Sequence, residues 1–175
     1  MQKNVKKYDV LIIGAGPAGA NAAISYKNLN SDLVVGIVDK SIFPRDKSCG
    51  DAIGPGVISA LKRFNNEHIL EGEPQVVSTT LYGPDNIGIQ NYIPQVKNKD
   101  DSIVYVIPRI DLDNRILNLA KEEGVHVYEG YSFVDFTSNE DKSLNVKIKN
   151  DNEDFEFSTK ILVGADGANS RIRKK

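Results

Sequence analysis

The sequence contains no tryptophan and only one cysteine among its 175 residues. A single cysteine excludes an intramolecular disulfide, so we expect a cytoplasmic protein. The first ten residues lack the apolar core of a signal peptide, and the most apolar stretch, residues 10–25, is interrupted by three glycines and a proline. We therefore expect neither a signal peptide nor a membrane span, while peripheral membrane contact stays open.

The sequence also has no excess of charge of one sign. Its 22 Lys and Arg residues face 24 Asp and Glu residues, and no continuous basic patch indicates a nucleic-acid partner. His68 and His126 have neither the spacing of metal ligands nor that of a catalytic triad, and no G-x-S-x-G motif occurs. We therefore expect no metal site and no triad hydrolase.

The first pattern that is present is a βαβ unit over residues 8–39. Residues 10–13 form an apolar run typical of a strand buried on both faces of a parallel sheet. Pro17 and the alanine-rich stretch up to residue 29 predict a helix. A second apolar strand is predicted over residues 33–38, which completes the unit.

The turn between that strand and that helix reads Gly14-Ala15-Gly16-Pro17-Ala18-Gly19. In this position the G-x-G-x-x-G pattern predicts a dinucleotide-binding loop, where free N–H groups at the helix start face a pyrophosphate. Asp39 follows Gly19 by twenty residues, at the end of the second strand, where its carboxylate can accept hydrogen bonds from an adenosine ribose. Because this carboxylate would repel a 2′-phosphate, the pattern favours FAD or NAD over NADP.

Further along the chain, residues 57–64 have apolar positions at helical spacing. Two strands then flank a Gly-Pro-Asp-Asn turn and predict a hairpin in a different sheet, with strands at residues 76–82 and 87–92. An amphipathic helix follows, with Asp111 as its predicted N-cap and Gly124 just after its end. The predicted strands around and after this helix are residues 103–107, 125–128, 131–137, 143–149, 154–158 and 161–163.

These elements predict an α/β fold. It is a doubly wound, Rossmann-like FAD-binding domain with an antiparallel β-meander crossover and the beginning of a β-rich substrate domain. We assign residues 1–73 and 103–175 to the FAD-binding domain, which we expect to be incomplete. Residues 74–102 are assigned to the start of the substrate domain.

Three blocks of sequence carry a resemblance to a known family: residues 14–39, the segment FPRDKSCGD at residues 43–51, and GADGANSRIR at residues 164–173. With these blocks the chain resembles flavoproteins of the aromatic-hydroxylase fold and, among them, the geranylgeranyl reductase family, over nearly its whole length. A plain NAD dehydrogenase shares only the first block, so the resemblance favours FAD. Aromatic hydroxylases have an Arg-rich Gly-Leu segment in place of residues 47–51, so the resemblance favours the reductases over the hydroxylases. The related halogenases carry a tryptophan motif, and this chain has no tryptophan, so the halogenases are excluded.

The resemblance implies roles for particular residues. Arg45 or Lys47 and also Arg109 would contact FAD phosphates, Asp166 would accept hydrogen bonds from hydroxyl groups, and the backbone near Phe133 would contact adenine. Cys49 and Gly50 would approach the isoalloxazine ring, although Cys49 also fits a role as a small packed residue. The predicted cofactor-binding residues are Gly14, Ala15, Gly16, Pro17, Ala18, Gly19, Asp39, Lys40, Arg45, Cys49, Gly50, Arg109, Phe133, Asp166 and Gly167, and Cys49 is the candidate catalytic residue.

The activity that the resemblance implies is hydride transfer from reduced FAD to a carbon–carbon double bond of an isoprenoid lipid, with NAD(P)H as an external reductant. An aromatic-hydroxylase-type monooxygenase and a non-catalytic dinucleotide-binding module remain alternatives. Two family motifs and a final sheet strand would lie after Lys175. We therefore expect a fragment of a longer enzyme that is inactive by itself.

Overall fold

The computed structural model of the protein describes residues 5–92 and 104–175. Contacts divide the chain into two compact units: Met1–Arg45 with Asp113–Lys175, and Asp46–Leu112. The division into an FAD-binding domain and the start of a substrate domain stays a prediction. Residues 93–102 of the predicted substrate domain lie outside the described residues.

The helices and strands follow one another in the order β1 (Lys6–Ile13), α1 (Pro17–Leu29), β2 (Val35–Asp39), β3 (Ala52–Ile53), α2 (Pro55–Lys62), β4 (Ser78–Tyr82), β5 (Gly88–Tyr92), β6 (Tyr105–Val106), α3 (Arg109–Glu122), β7 (His126–Glu129), β8 (Ser132–Ser138), β9 (Leu144–Lys149) and β10 (Asp154–Gly164). Two short 3₁₀ helices complete the set, Glu67–Leu70 and Ile172–Lys174.

The first unit is built on a six-stranded sheet with the strand order β7-β2-β1-β10-β9-β8. Strands β7, β2, β1 and β10 are parallel, whereas β10, β9 and β8 form an antiparallel meander. Strand β1 is buried from Val10 to Ile13, as the apolar run predicts, and α1 buries its small face, including Ala20 and Ala23. The predicted α/β, Rossmann-like fold with a meander is confirmed.

Strand β10 differs from the prediction of two separate strands at residues 154–158 and 161–163. It is continuous because its first half pairs with β9 up to Thr159, while β1 pairs with it from Phe157 to Gly164. Thr159 is buried, and its hydroxyl donates to the Ile161 carbonyl oxygen at 2.9 Å. This bond satisfies a polar side chain inside the strand, at a place where the polar sequence indicated an interruption.

The second unit contains α2 and two small sheets, one of β3 with β6 and one of β4 with β5. The predicted hairpin is confirmed as β4–β5, and the predicted strand at 103–107 is reduced to β6, with residue 103 outside the described part. No helix among residues 5–92 and 104–175 combines the length and the hydrophobicity that a bilayer span requires.

The predicted N-cap of α3 is wrong. The helix begins at Arg109, and the carbonyl oxygen of Pro108 accepts the N–H groups of Asp111 and Leu112 at 2.9 and 3.0 Å. Asp111 therefore lies inside the first turn. The N–H of Arg109 is instead capped by Asp51, whose Oδ1 lies 3.2 Å away although it is 58 positions distant in sequence. Gly124 follows the helix at φ +80°, as predicted.

Candidate nucleotide-binding site

The carboxyl ends of three neighbouring parallel strands meet at one edge of the large sheet. Strand β1 runs into the glycine-rich loop, β2 ends at Asp39, and β10 leads into the turn at residues 164–167. The N–H of Gly14 donates to the Val38 carbonyl at 2.7 Å, and that of Ala165 donates to the Ile13 carbonyl at 2.8 Å. In open α/β sheets this edge is the place where ligands bind.

Two glycines of the loop have no room for a side chain. Gly14 has φ +110°, and a Cβ on it would lie 2.3 Å from the carbonyl oxygen of Ala165. A Cβ on Gly19 would lie 1.8 Å from the carbonyl oxygen of Gly14. The sharp turn and the close approach of α1 to β1 therefore require glycine at both positions.

The amino end of α1 is arranged to receive a negative charge. Its N-cap is Gly16, which has no side chain to bond the first N–H groups, and Pro17 occupies the start of the helix. The first turn contains no acidic residue. The first N–H groups of a helix have no partner within the helix, and together with the helix dipole they give this point a positive potential that suits a phosphate.

Asp39 lies against the glycine-rich loop. Its Oδ2 accepts the N–H of Ala15 at 2.7 Å, and its Oδ1 accepts the N–H of Ser41 at 2.8 Å. A carboxylate oxygen can accept a second hydrogen bond, so both oxygens retain acceptor capacity. The structure thus places the predicted ribose acceptor beside the predicted pyrophosphate loop. Lys40, the next predicted residue, is exposed.

Arg45 reaches the same loop. Its Nη2 lies 3.4 Å from the position that a Cβ on Gly16 would occupy. The guanidinium stacks over the ring of Phe43, with 4.9 Å between the guanidinium carbon and the ring centroid, and forms an ion pair with Asp113. Lys47, the alternative predicted phosphate ligand, belongs to the other unit. Within the first unit, the structure brings Arg45 to the glycine-rich loop.

Asp166 presents an unsatisfied acceptor. Its Oδ2 accepts the N–H of Arg171 at 2.6 Å, whereas its Oδ1 is shielded and has no hydrogen-bond partner among the described residues. A shielded carboxylate oxygen without a donor indicates the place of a water or a ligand hydroxyl. Gly167 beside it has φ +85° and open space around it. These features and the glycine cradle fit a dinucleotide.

Phe133 is placed differently from the other predicted residues of the first unit. Its side chain is buried in the core, in one cluster with Val146, Ile148 and Phe157. Its carbonyl oxygen accepts a hydrogen bond from Nη1 of Arg171 at 3.4 Å. The contact of its backbone with adenine stays a prediction.

Three predicted residues lie together in the second unit: Cys49, Gly50 and Arg109. Cys49 is exposed, and a Cβ on Gly50 would meet no atom within 4 Å. A hydrogen bond from the backbone of Asp51, and then one from the side chain of Arg109, lower the pKa of Cys49. The proposed contact of Arg109 with the pyrophosphate stays a prediction.

We expect Cys49 to be alkylated by iodoacetamide at lower pH in the folded chain than in the urea-unfolded chain. The lowered pKa makes the reactive thiolate available at lower pH. Because the chain has one cysteine, the rate of mass gain reports this thiol alone. Arg109→Gln is expected to raise the pH midpoint, and Lys47→Gln serves as the exposed charge control. Equal pH midpoints of alkylation for the folded and unfolded chains would show that the fold does not lower the pKa of Cys49.

Sequence reasoning missed two acids that organise these groups. Asp51 has φ +54° and caps α3 through its side chain. Asp113 is fully buried on the apolar face of α3, three and four positions before the buried residues Ile116 and Leu117. An acid at helical spacing from apolar residues was the available signal for Asp113. Nothing local in the sequence marked Asp51.

In residues 5–92 and 104–175, no group of three or more His, Cys, Asp or Glu side chains is arranged to hold a metal ion.

The sequence profile of the family described as FAD binding domain matches residues 7–175. A menaquinone reductase of Mycolicibacterium smegmatis is 30% identical over 94% of the chain and 38% of the relative. A geranylgeranyl diphosphate reductase of Rhodobacter capsulatus is 28% identical over 97% of the chain and 40% of the relative. The chain therefore spans about two fifths of these relatives' length.

Among solved structures, the p-nitrophenol 4-monooxygenase PnpA from Pseudomonas putida superposes with a TM-score of 0.84 at 16% identity, covering 98% of this chain and 44% of that one. At this identity the likeness concerns the fold. It agrees with the observed Rossmann-like sheet and meander.

Proposed function

Because this chain belongs to the FAD binding domain family, we propose that it holds FAD with the ADP half across the amino end of α1. The observation that carries the proposal is the 2.7 Å bond from Ala15 N–H to Asp39 Oδ2. This bond holds the Asp39 carboxylate next to the N–H groups that would receive the pyrophosphate, where it would accept hydrogen bonds from ribose hydroxyls. A carboxylate at this point disfavours a 2′-phosphate and thereby favours FAD over an NADP-type ligand.

Each group of the site has a separate task in this arrangement. The first turn of α1 and the Arg45 guanidinium would stabilise the negative pyrophosphate. Asp39 and Asp166 carry negative charge, so they would face hydroxyl groups of the ribose and the ribityl chain instead of phosphate oxygens. The unsatisfied Oδ1 of Asp166 would gain a donor from such a hydroxyl or from a bridging water.

The proposed reaction is reduction of a carbon–carbon double bond in an isoprenoid chain. Bound FAD would supply the hydride chemistry. The names of two relatives support this substrate class, since menaquinone and geranylgeranyl diphosphate both carry isoprenoid chains. By the family resemblance, Cys49 and Gly50 would approach the flavin ring, and Cys49 is the candidate catalytic residue.

The wider organisation belongs to the same proposal. Residues 74–102 begin a substrate domain, NAD(P)H regenerates the reduced cofactor, and a lipid substrate brings the protein into peripheral contact with a membrane. The reductase assignment is preferred to a monooxygenase because the segment at residues 47–51 lacks the Arg-rich Gly-Leu sequence and because both curated relatives reported above are named reductases.

We expect Asp39→Asn to weaken FAD binding at least tenfold, because the amide offers one acceptor oxygen in place of two charged ones. Titration of the 175-residue chain with FAD, followed by quenching of flavin fluorescence, measures the change. ADP should lose affinity in parallel, since it carries the same ribose. Asp32→Asn, at an exposed acid before β2, is the matched control and should bind as the wild type does.

Equal FAD affinity for Asp39→Asn and the wild type would remove Asp39 from the site. A wild-type chain that bound neither FAD nor ADP would overturn the proposal as a whole.

The reductase assignment is tested against a non-catalytic module with the FAD-loaded chain reduced by dithionite. Geranylgeranyl diphosphate is then added, and mass spectrometry follows the gain of two hydrogens per reduced double bond. A gain of two hydrogens would overturn the non-catalytic alternative, whereas an unchanged mass with FAD bound is expected both of that alternative and of a reductase fragment that is inactive by itself.

A further inference from the structure

We propose that Asp113 is a positioning residue that holds the Arg45 guanidinium over the phosphate-binding loop. The inference rests on the proposed function, because its readout is binding of a pyrophosphate. Oδ2 of Asp113 lies 3.5 Å from Nη2 of Arg45, and the Asp113 side chain has no exposed surface. The Arg45 side chain is itself only 18% exposed.

Burial of the Asp113 carboxylate costs free energy unless a partner compensates its charge. It lies on the buried face of α3, next to Leu112 and one turn before Ile116 and Leu117, all of which are fully or almost fully buried. A carboxylate in such a place loses its hydration, and the loss is offset only by well-placed cations and hydrogen bonds. Arg45 provides one such cation at this point, 3.5 Å from Oδ2 of Asp113.

The position of Arg45 shows what the pairing achieves. An arginine side chain has many rotamers, and fixing them costs conformational entropy. Here the ion pair with Asp113 and the stacking on Phe43 restrict those rotamers. Its Nη2 lies next to Gly16, 3.4 Å from the position that a Cβ on that residue would occupy.

The chemistry of the guanidinium allows it to serve two anions. It carries five N–H donors in a fixed fork, so it can bind a carboxylate through one part and a phosphate through another. Asp113 would then act on the pyrophosphate only through Arg45. It would touch no ligand atom itself, and its effect should vanish for ligands without phosphate.

The test measures the affinity of the Asp113→Asn variant for three ligands, FAD, ADP and adenosine. The substitution keeps the shape of the side chain. We expect FAD and ADP affinity to fall roughly tenfold, because Arg45 loses its anchor, while adenosine affinity stays unchanged. Asp111→Asn is the matched control, an exposed acid two residues earlier in the same helix, and should leave all three affinities unchanged. A parallel loss for adenosine would overturn the role, because it would indicate a general structural effect.

A second comparison is used if the Asp113→Asn variant alone does not fold. Arg45→Met is compared with the double variant Arg45→Met/Asp113→Asn, in which neither partner charge remains. We expect equal FAD affinity in these two variants. A further loss in the double variant would overturn the proposal, since it would show that Asp113 acts without Arg45.

Failure of the proposed function and failure of the Asp113 role give different binding results. Wild-type chain that bound neither FAD nor ADP would overturn the proposed function and this role with it. Wild-type chain that bound FAD while Asp113→Asn bound it equally well would overturn this role alone.

Discussion

Replacing Gly19 by alanine is expected to lower the free energy of unfolding by about 3 kcal/mol or more. A Cβ at this position would lie 1.8 Å from the carbonyl oxygen of Gly14 and 3.3 Å from the Cβ of Ala165. The first of these atoms belongs to the backbone, so no change of rotamer can relieve the overlap. Helix α1 would have to move away from β1, and the loop that faces the proposed pyrophosphate would move with it.

Urea unfolding of the chain without added ligand, followed by circular dichroism, measures this loss. The matched control is Gly164→Ala, at the same edge of the same sheet. A Cβ there would be 3.5 Å from Ile172 side-chain atoms, which is an ordinary van der Waals contact. We expect the control to change stability by less than about 1 kcal/mol. Wild-type stability for Gly19→Ala would show that helix and loop do not approach as described.

The parts of the site that could be predicted from the sequence are those encoded by neighbouring residues. The backbone turns sharply at Gly14, and α1 packs closely against the loop at Gly19, so neither position has room for a side chain. The two glycines therefore recur at a spacing that a sequence pattern can detect. The place of Asp39 follows from the end of an apolar strand. Both features depend on local backbone geometry, so the sequence pattern predicts them before any tertiary contact is known.

The parts that could not be predicted depend on residues that only the fold brings together. The cap of α3 comes from Asp51, and the anchor of Arg45 comes from Asp113, each far away in sequence. The periodicity of apolar residues predicts which face of a helix is buried. It does not predict which residue from another part of the chain will contact that helix. The prediction of Asp111 as N-cap failed for this reason. Its residue type favours an N-cap, but in the fold Asp51 caps the helix from a distant part of the chain.

Gly36→Ala is expected to destabilise the chain by about 2 kcal/mol, roughly a thirtyfold change in the folding equilibrium. Glycine inside a buried strand normally weakens it, so its presence between the buried residues Val35 and Ile37 has a specific cause. A Cβ on Gly36 would lie 2.8 Å from Cε1 of Tyr8 and 3.0 Å from Cδ1 of Leu11. The ring of Tyr8 occupies the space that a side chain would need.

Tyr8 uses this space to cross a whole strand. It lies on β1, yet its hydroxyl is 2.6 Å from the Tyr128 hydroxyl and 3.3 Å from Nδ1 of His126, both on β7. Because β2 lies between β1 and β7, the ring must pass over Gly36 to make these bonds. Burial, and then the bond with Tyr128, raise the pKa of Tyr8, so its hydroxyl stays protonated and the bond is kept throughout the neutral range.

A double-mutant cycle separates this cause from a general effect of alanine in a strand. In the Tyr8→Ala background the ring is absent, so Gly36→Ala should cost far less than in the wild type, and the coupling should be about 1 kcal/mol or more. Equal costs in the two backgrounds would show that Gly36 is not kept for Tyr8. The cycle also bears on the site, because the strand that carries Gly36 ends at Asp39. A ring that forces β2 away from β1 would pull the Asp39 carboxylate from the Ala15 N–H, so the Gly36→Ala chain should also bind FAD less tightly.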